Sequence, residues 1–124
     1  MFSLFKKKEI EIENKLEFEK TLIKLIELLR DNAFKPQAEA VRRVLNALTQ
    51  NNKKIFLKTL NSVDMWGGSG AVWEVSGFQT KSEEIEFWEQ TIKLTDLMKE
   101  TGIKNSHAFS TANIFRKELK TKAN

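Results

Sequence analysis

Apolar positions recur along most of this chain at the spacing of an α-helix. Between about Glu9 and Asp31, Phe18, Leu22, Leu25 and Leu29 fall at i, i+4, i+7 and i+11, and Ile12, Leu16, Ile23 and Ile26 widen the stripe. Such a pattern predicts an amphipathic helix with one broad buried face. The stretch Asp31-Asn-Ala-Phe-Lys-Pro36 interrupts it, because the residue before a proline is pushed out of the α region and Pro36 suits the first turn of a new helix. Ala38, Val41, Val44, Leu45 and Leu48 mark that second helix to about Thr49. Asn52 is placed to cap a third, with Ile55, Phe56, Leu60 and Val63 expected inward.

The fourth long helix has the clearest start and stop signals. Thr80-Lys-Ser-Glu83 is a capping box, in which the hydroxyl and the carboxylate are expected to satisfy each other's exposed amides. Glu83, Glu84 and Glu86 complement the positive end of the helix dipole, and Ile85, Trp88, Ile92 and Thr95 line one face. Gly102 is placed for a left-handed cap, with Ile103 packing back on Met98. Ser106 is the expected cap of a last helix in which Ala108, Ala112, Phe115 and Leu119 share a face. The expectation is therefore an all-α fold: one domain over residues 1–124, a bundle of about five helices, with residues 1–8 and 121–124 as loose tails.

Charge divides the chain more sharply than its total of +4 suggests. Lys6, Lys7 and Lys8 give the first eight residues +3, the last nine carry another +3, and the body from 9 to 115 is left at −2. Only four of the 21 basic residues are Arg, so specific nucleic-acid recognition is not expected, although the tails allow a salt-dependent association. Within the body, residues 35–60 hold six basic residues against Glu39, whereas 81–100 hold three lysines against six acids. These segments are expected to face each other. The absence of cysteine removes disulfide and thiolate chemistry. No run approaches the roughly 20 apolar residues of a membrane span, and the start, with Phe2, Leu4 and Phe5 before its lysines, is the wrong order for a secretory signal. A cytoplasmic location is the expectation, and broad apolar helix faces equally suit a homodimer.

One segment does not follow the helical pattern. Residues 64–79 hold four of the five glycines and two of the three tryptophans, which makes a Gly/Trp-rich loop between the third and fourth long helices. Glycine is kept where φ must be positive or where another backbone or ligand comes close, and tryptophan recurs at interfaces. Ala71 to Val75 suits a short helix or a strand equally well. Two readings stand side by side: a glycine turn that folds Trp66 and Trp73 into the core, and a binding surface made by Asp64, Trp66, Gly67, Gly68, Ser69, Gly70, Trp73 and Glu74.

Catalytic motifs fail here by letter. Gly67-Gly-Ser69-Gly-Ala71 lacks the last glycine of a nucleophile elbow, Trp73 stands where a dinucleotide fingerprint needs glycine, and no Gly-Lys-Ser/Thr is present. The amides of Gly67 to Gly70 offer a small anion nest flanked by Asp64 and Glu74, and a small-molecule or anion site there is the alternative to a protein-binding surface. His107, the only histidine, is expected to be an exposed first-turn residue. No cofactor and no metal site is expected.

The run Asp64-Met-Trp-Gly-Gly-Ser-Gly-Ala-Val-Trp-Glu, following two amphipathic helices, resembles a group of small bacterial helical proteins that look like the immunity partners of polymorphic or secretion-system toxins. The likeness covers residues 16–78, and its specific part is the eleven-residue run, with Trp66, Gly67, Gly68, Ser69, Gly70, Ala71 and Trp73 as the matching positions. It implies a cytoplasmic protein that binds and blocks one cognate toxin and has no catalysis of its own. Immunity proteins against cationic nucleases are usually strongly acidic, and the nearly neutral body of this chain does not point to such a target.

Overall fold

A computed structural model describes residue 12 and residues 14–67 and 70–123; the expected N-terminal tail, Glu9, Gly68 and Ser69 lie outside the described residues. The helices are α1 (Lys15–Asp31), α2 (Lys35–Thr49), α3 (Lys53–Leu60), the single turn α4 (Val63–Trp66), α5 (Lys81–Glu100) and α6 (Ser106–Ala123), with a 3-10 turn at Val72–Glu74. The fold is all-α, with five longer helices and no strand among the described residues. Segment 71–75 is therefore neither α-helix nor strand: one 3-10 turn leads into unpaired extended backbone. At the other end, α6 runs on through residues 121–123, where a loose tail is expected from the sequence.

Three helices end in the same way. After α5, Gly102 takes φ +80°, its N–H donates to Lys99 O at 3.1 Å, and the Ile103 N–H donates to Met98 O at 2.9 Å. This is the Schellman motif expected there. The same bonds close α1 through Ala33 (φ +66°) and α2 through Asn51 (φ +58°), where no glycine signals them. At the helix starts, Asn52 Oδ1 accepts the Ile55 N–H at 3.1 Å and Thr80 Oγ1 accepts the Glu83 N–H at 3.0 Å. The capping box is only half of the reciprocal form, because the Thr80 hydroxyl itself donates to Glu83 Oε1 at 3.0 Å. The side-chain cap of α6 is Asn105, whose Oδ1 accepts the Ala108 N–H at 3.0 Å, and not Ser106, which begins the helix proper.

The expected stripe on α1 is fully buried at Phe18, Leu22, Leu25 and Leu29, and Ile26 joins it. Leu16 and Ile23 are exposed, since at about 100° per residue they lie far around the helix from that stripe. Ile55 and Val63 are also exposed. Ile55 is one residue off the Phe56 and Leu60 face, and the Asn61-Ser62 break between α3 and α4 ends the register that would have carried Val63 inward. On α5, Thr95 is buried as expected and Ile85 and Ile92 are half-buried, while Phe87, Thr91, Leu94 and Met98 are buried as deeply as Thr95, because this helix packs on α1 and α6 at once.

The helices pack in the order α3 on α2, α2 on α1, α1 on α5 and α5 on α6, with α4 and the 3-10 turn against α2. The basic α2–α3 pair and the acidic α5 thus lie to either side of α1 and do not face each other. Two acids of α5 are met by cations of α1 and α6, through Lys24–Glu86 at 3.6 Å and Arg116–Asp96 at 2.7 Å. A chain of ring contacts runs from Trp66 through Trp73, Phe87 and Phe115 to Trp88, with a branch from Phe87 through Phe78 to Phe34. The aromatic residues tie the Gly/Trp segment to α5, to α6 and to the α1–α2 turn.

Candidate functional site

Where α3 ends, the Trp66 indole N–H donates to Leu60 O at 2.7 Å, so α4 folds back on the helix before it. The Gly67 N–H closes that turn on Val63 O at 3.0 Å. A Cβ added at Gly67 would meet Val63 Cγ1 at 3.0 Å, a close approach that glycine avoids. The chain re-enters the described region at Gly70, with φ +87° and its carbonyl accepting from Gln37 Nε2 at 3.1 Å. Ala71, Val72 and Trp73 then turn into the core. The two indoles stack with centroids 4.4 Å apart and planes 28° from parallel, and Trp73 lies 5.6 Å from the Phe87 ring.

The sequence-derived site residues separate accordingly. Trp66 and Trp73 keep only 6% and 7% of their surface, so neither ring is presented to a partner, and both brace the loop from below. Asp64 is exposed and its Oδ2 accepts from Arg43 Nη2 at 3.4 Å. Glu74 is exposed, Gly67 is half-buried and Gly70 is exposed. The Gly67 amide, needed for an anion nest, is already committed to Val63 O. Among the described residues no group of three or more His, Asp or Glu side chains is placed to hold a metal ion.

Two shallow depressions flank α4. One, of about 400 Å³, is bounded by Val63, Trp66, Gly67, Asn61, Asn105 and the exposed His107. There Asn105 Nδ2 donates to Asn61 Oδ1 at 2.8 Å and holds the start of α6 against the end of α3. The other, of about 250 Å³, lies between α2 and α3 and includes Ala40, Arg43, Ile55, Lys58 and Asp64. Val63 lines the first, between Ser62 and Asp64 that line the second, and has 72% of its surface exposed on a turn whose Met65 and Trp66 are buried. Periodicity assigns Ile55 and Val63 to the core, so sequence reasoning misses them as surface; the signal that finds Val63 is the Asn61-Ser62 break before it.

No helix among the described residues is long and apolar enough to cross a membrane. Comparison of the chain with protein-family models, curated proteins and solved structures finds no match.

Proposed function

We propose that this chain is a non-catalytic, cytoplasmic binding protein of the immunity or antitoxin kind, which blocks a cognate bacterial toxin with the surface around α4. The observation that carries this reading is Val63, a large apolar side chain 72% exposed on a turn that the buried Trp66–Trp73 stack holds in place. Apolar surface fixed on a rigid support loses little freedom on association, which favours binding. The likeness of the Asp64 to Glu74 run to immunity partners points to a toxin as the occupant. In this reading the tryptophans shape the loop, and recognition falls to Val63, Asp64, Gly67 and Glu74 around them.

The test is affinity capture by the tagged full chain from its host's lysate, beside a Val63→Asp variant shown to be folded by circular dichroism. The expected result is a stoichiometric protein captured by the parent, which arrests growth when expressed alone and is relieved by the parent but not by the variant. A captured protein that is harmless on its own, or one bound equally by the variant, overturns the proposal.

A further inference from the structure

Beside the α2–α3 groove, α3 carries charge that its first turn does not favour. Helix α3 reads Lys-Lys-Ile-Phe-Leu-Lys-Thr-Leu, with no acidic residue. Lys53 and Lys54 sit in its first turn, where the helix dipole disfavours cations. Lys54 and Lys58 stand at i, i+4, where like charges repel. Both are exposed, and neither forms an ion pair among the described residues. Across α2, Arg42 is held by Glu39 at 3.3 Å and Arg43 by Asp64 at 3.4 Å, so the open cations here are Lys58, which lines the groove, and Lys54, one turn before it on α3. Natural sequences depart from local stability rules mainly where function needs it.

Beside these cations lies apolar surface. Ala40 is buried and Ile55 is 40% exposed in the depression of about 250 Å³, and the exposed Val63 lies in the chain between two of its lining residues, Ser62 and Asp64. That volume is below the roughly 300 Å³ at which small-molecule pockets begin, and suits one or two side chains of a partner. A nucleic acid would find no exposed aromatic here for a base to stack on.

We infer that this groove docks an acidic segment of the partner protein, with its carboxylates on Lys54 and Lys58 and an aliphatic side chain on Ile55 and Ala40. The inference rests on the binding-protein reading above and names the chemistry of the surface that would be bound. Opposite charge across the contact speeds the encounter and fixes its register, while the apolar contact slows release.

The probe is a glutamate-rich peptide carrying two leucines, titrated into the isotope-labelled full chain and followed by amide chemical shifts. A serine-for-leucine version and an oligothymidine strand serve as controls. Expected are shifts centred on residues 40, 43, 54–59 and 62–64, an affinity about tenfold lower for the serine version, and a similar loss for K54E/K58E. The double variant replaces two exposed side chains, so it is expected to fold. Shifts elsewhere, no shifts, or equal binding of oligothymidine at this face would overturn the inference. A toxin partner lost by Val63→Asp but kept by K54E/K58E would sink this inference alone and leave the proposed function standing.

Discussion

The side chain of Asn32, buried at the end of α1, accepts the backbone N–H of Gln79 at 2.7 Å through its Oδ1 and donates to Leu28 O at 2.8 Å through its Nδ2. One amide thus joins the close of α1 to the approach to α5, 47 residues later. A buried donor left without its acceptor costs about 1–3 kcal/mol. Because the Gln79 bond is part-buried, Asn32→Ala should lower stability by about 1 kcal/mol, the low end of that range, in urea unfolding followed by circular dichroism. Asn32→Asp should also be costly, because it loses the donor to Leu28 and sets a carboxylate against Glu83, whose Oε2 lies 3.4 Å from Asn32 Nδ2.

Ala33 closes α1 with φ +66°, a conformation that costs a non-glycine residue about 1–2 kcal/mol. Glycine removes that strain but adds about 0.5–1 kcal/mol of unfolded-state entropy. Ala33→Gly should therefore raise stability by about 0.5 kcal/mol, seen as a higher midpoint with unchanged slope in denaturant. A lower midpoint would mean that the Ala33 methyl makes contacts that outweigh the strain.

Trp66 and Trp73 have similar burial and face each other, yet only one has its indole N–H satisfied. Trp66 donates to Leu60 O at 2.7 Å, whereas Trp73 Nε1 has no acceptor among the described residues. Replacing each by Phe removes similar volume, so the difference between the variants isolates the hydrogen bond. Trp66→Phe should cost about 1 kcal/mol more than Trp73→Phe. Either tryptophan replaced by Ala should cost about 3–5 kcal/mol, as for other large aromatic residues in cores. Partner binding by Trp→Ala variants would therefore be confounded by unfolding.

Lys54 is unfavourable to α3 in two ways, through the dipole and through Lys58. A glutamate in its place meets the dipole and stands four residues before a lysine, the favoured orientation for an ion pair. Lys54→Glu should raise stability by about 0.5 kcal/mol, most clearly at low salt, and the gain should shrink as salt is added. A gain in stability coupled to a loss of peptide binding would identify a lysine kept for recognition at a cost to the helix.

The sequence by itself determined the helices and most of their ends. Periodicity, Asn52 and Thr80 as caps, and Gly102 as a stop act over a few residues, and local interactions suffice to express them. It could not place Ile55 and Val63, because two residues near the edge of a stripe are buried or exposed according to how the next element turns. Nor could it choose between an exposed and a buried Trp66. That depended on Leu60 O reaching its indole and on Trp73 arriving from the far side of the glycine turn to stack on it. The charge pairing was likewise decided in three dimensions: α1 lies between the basic α2–α3 pair and the acidic α5, so α5 finds its cations on α1 and α6. Composition tells which charges exist, whereas only packing tells which of them meet, because attraction between exposed charges fades within about 10 Å.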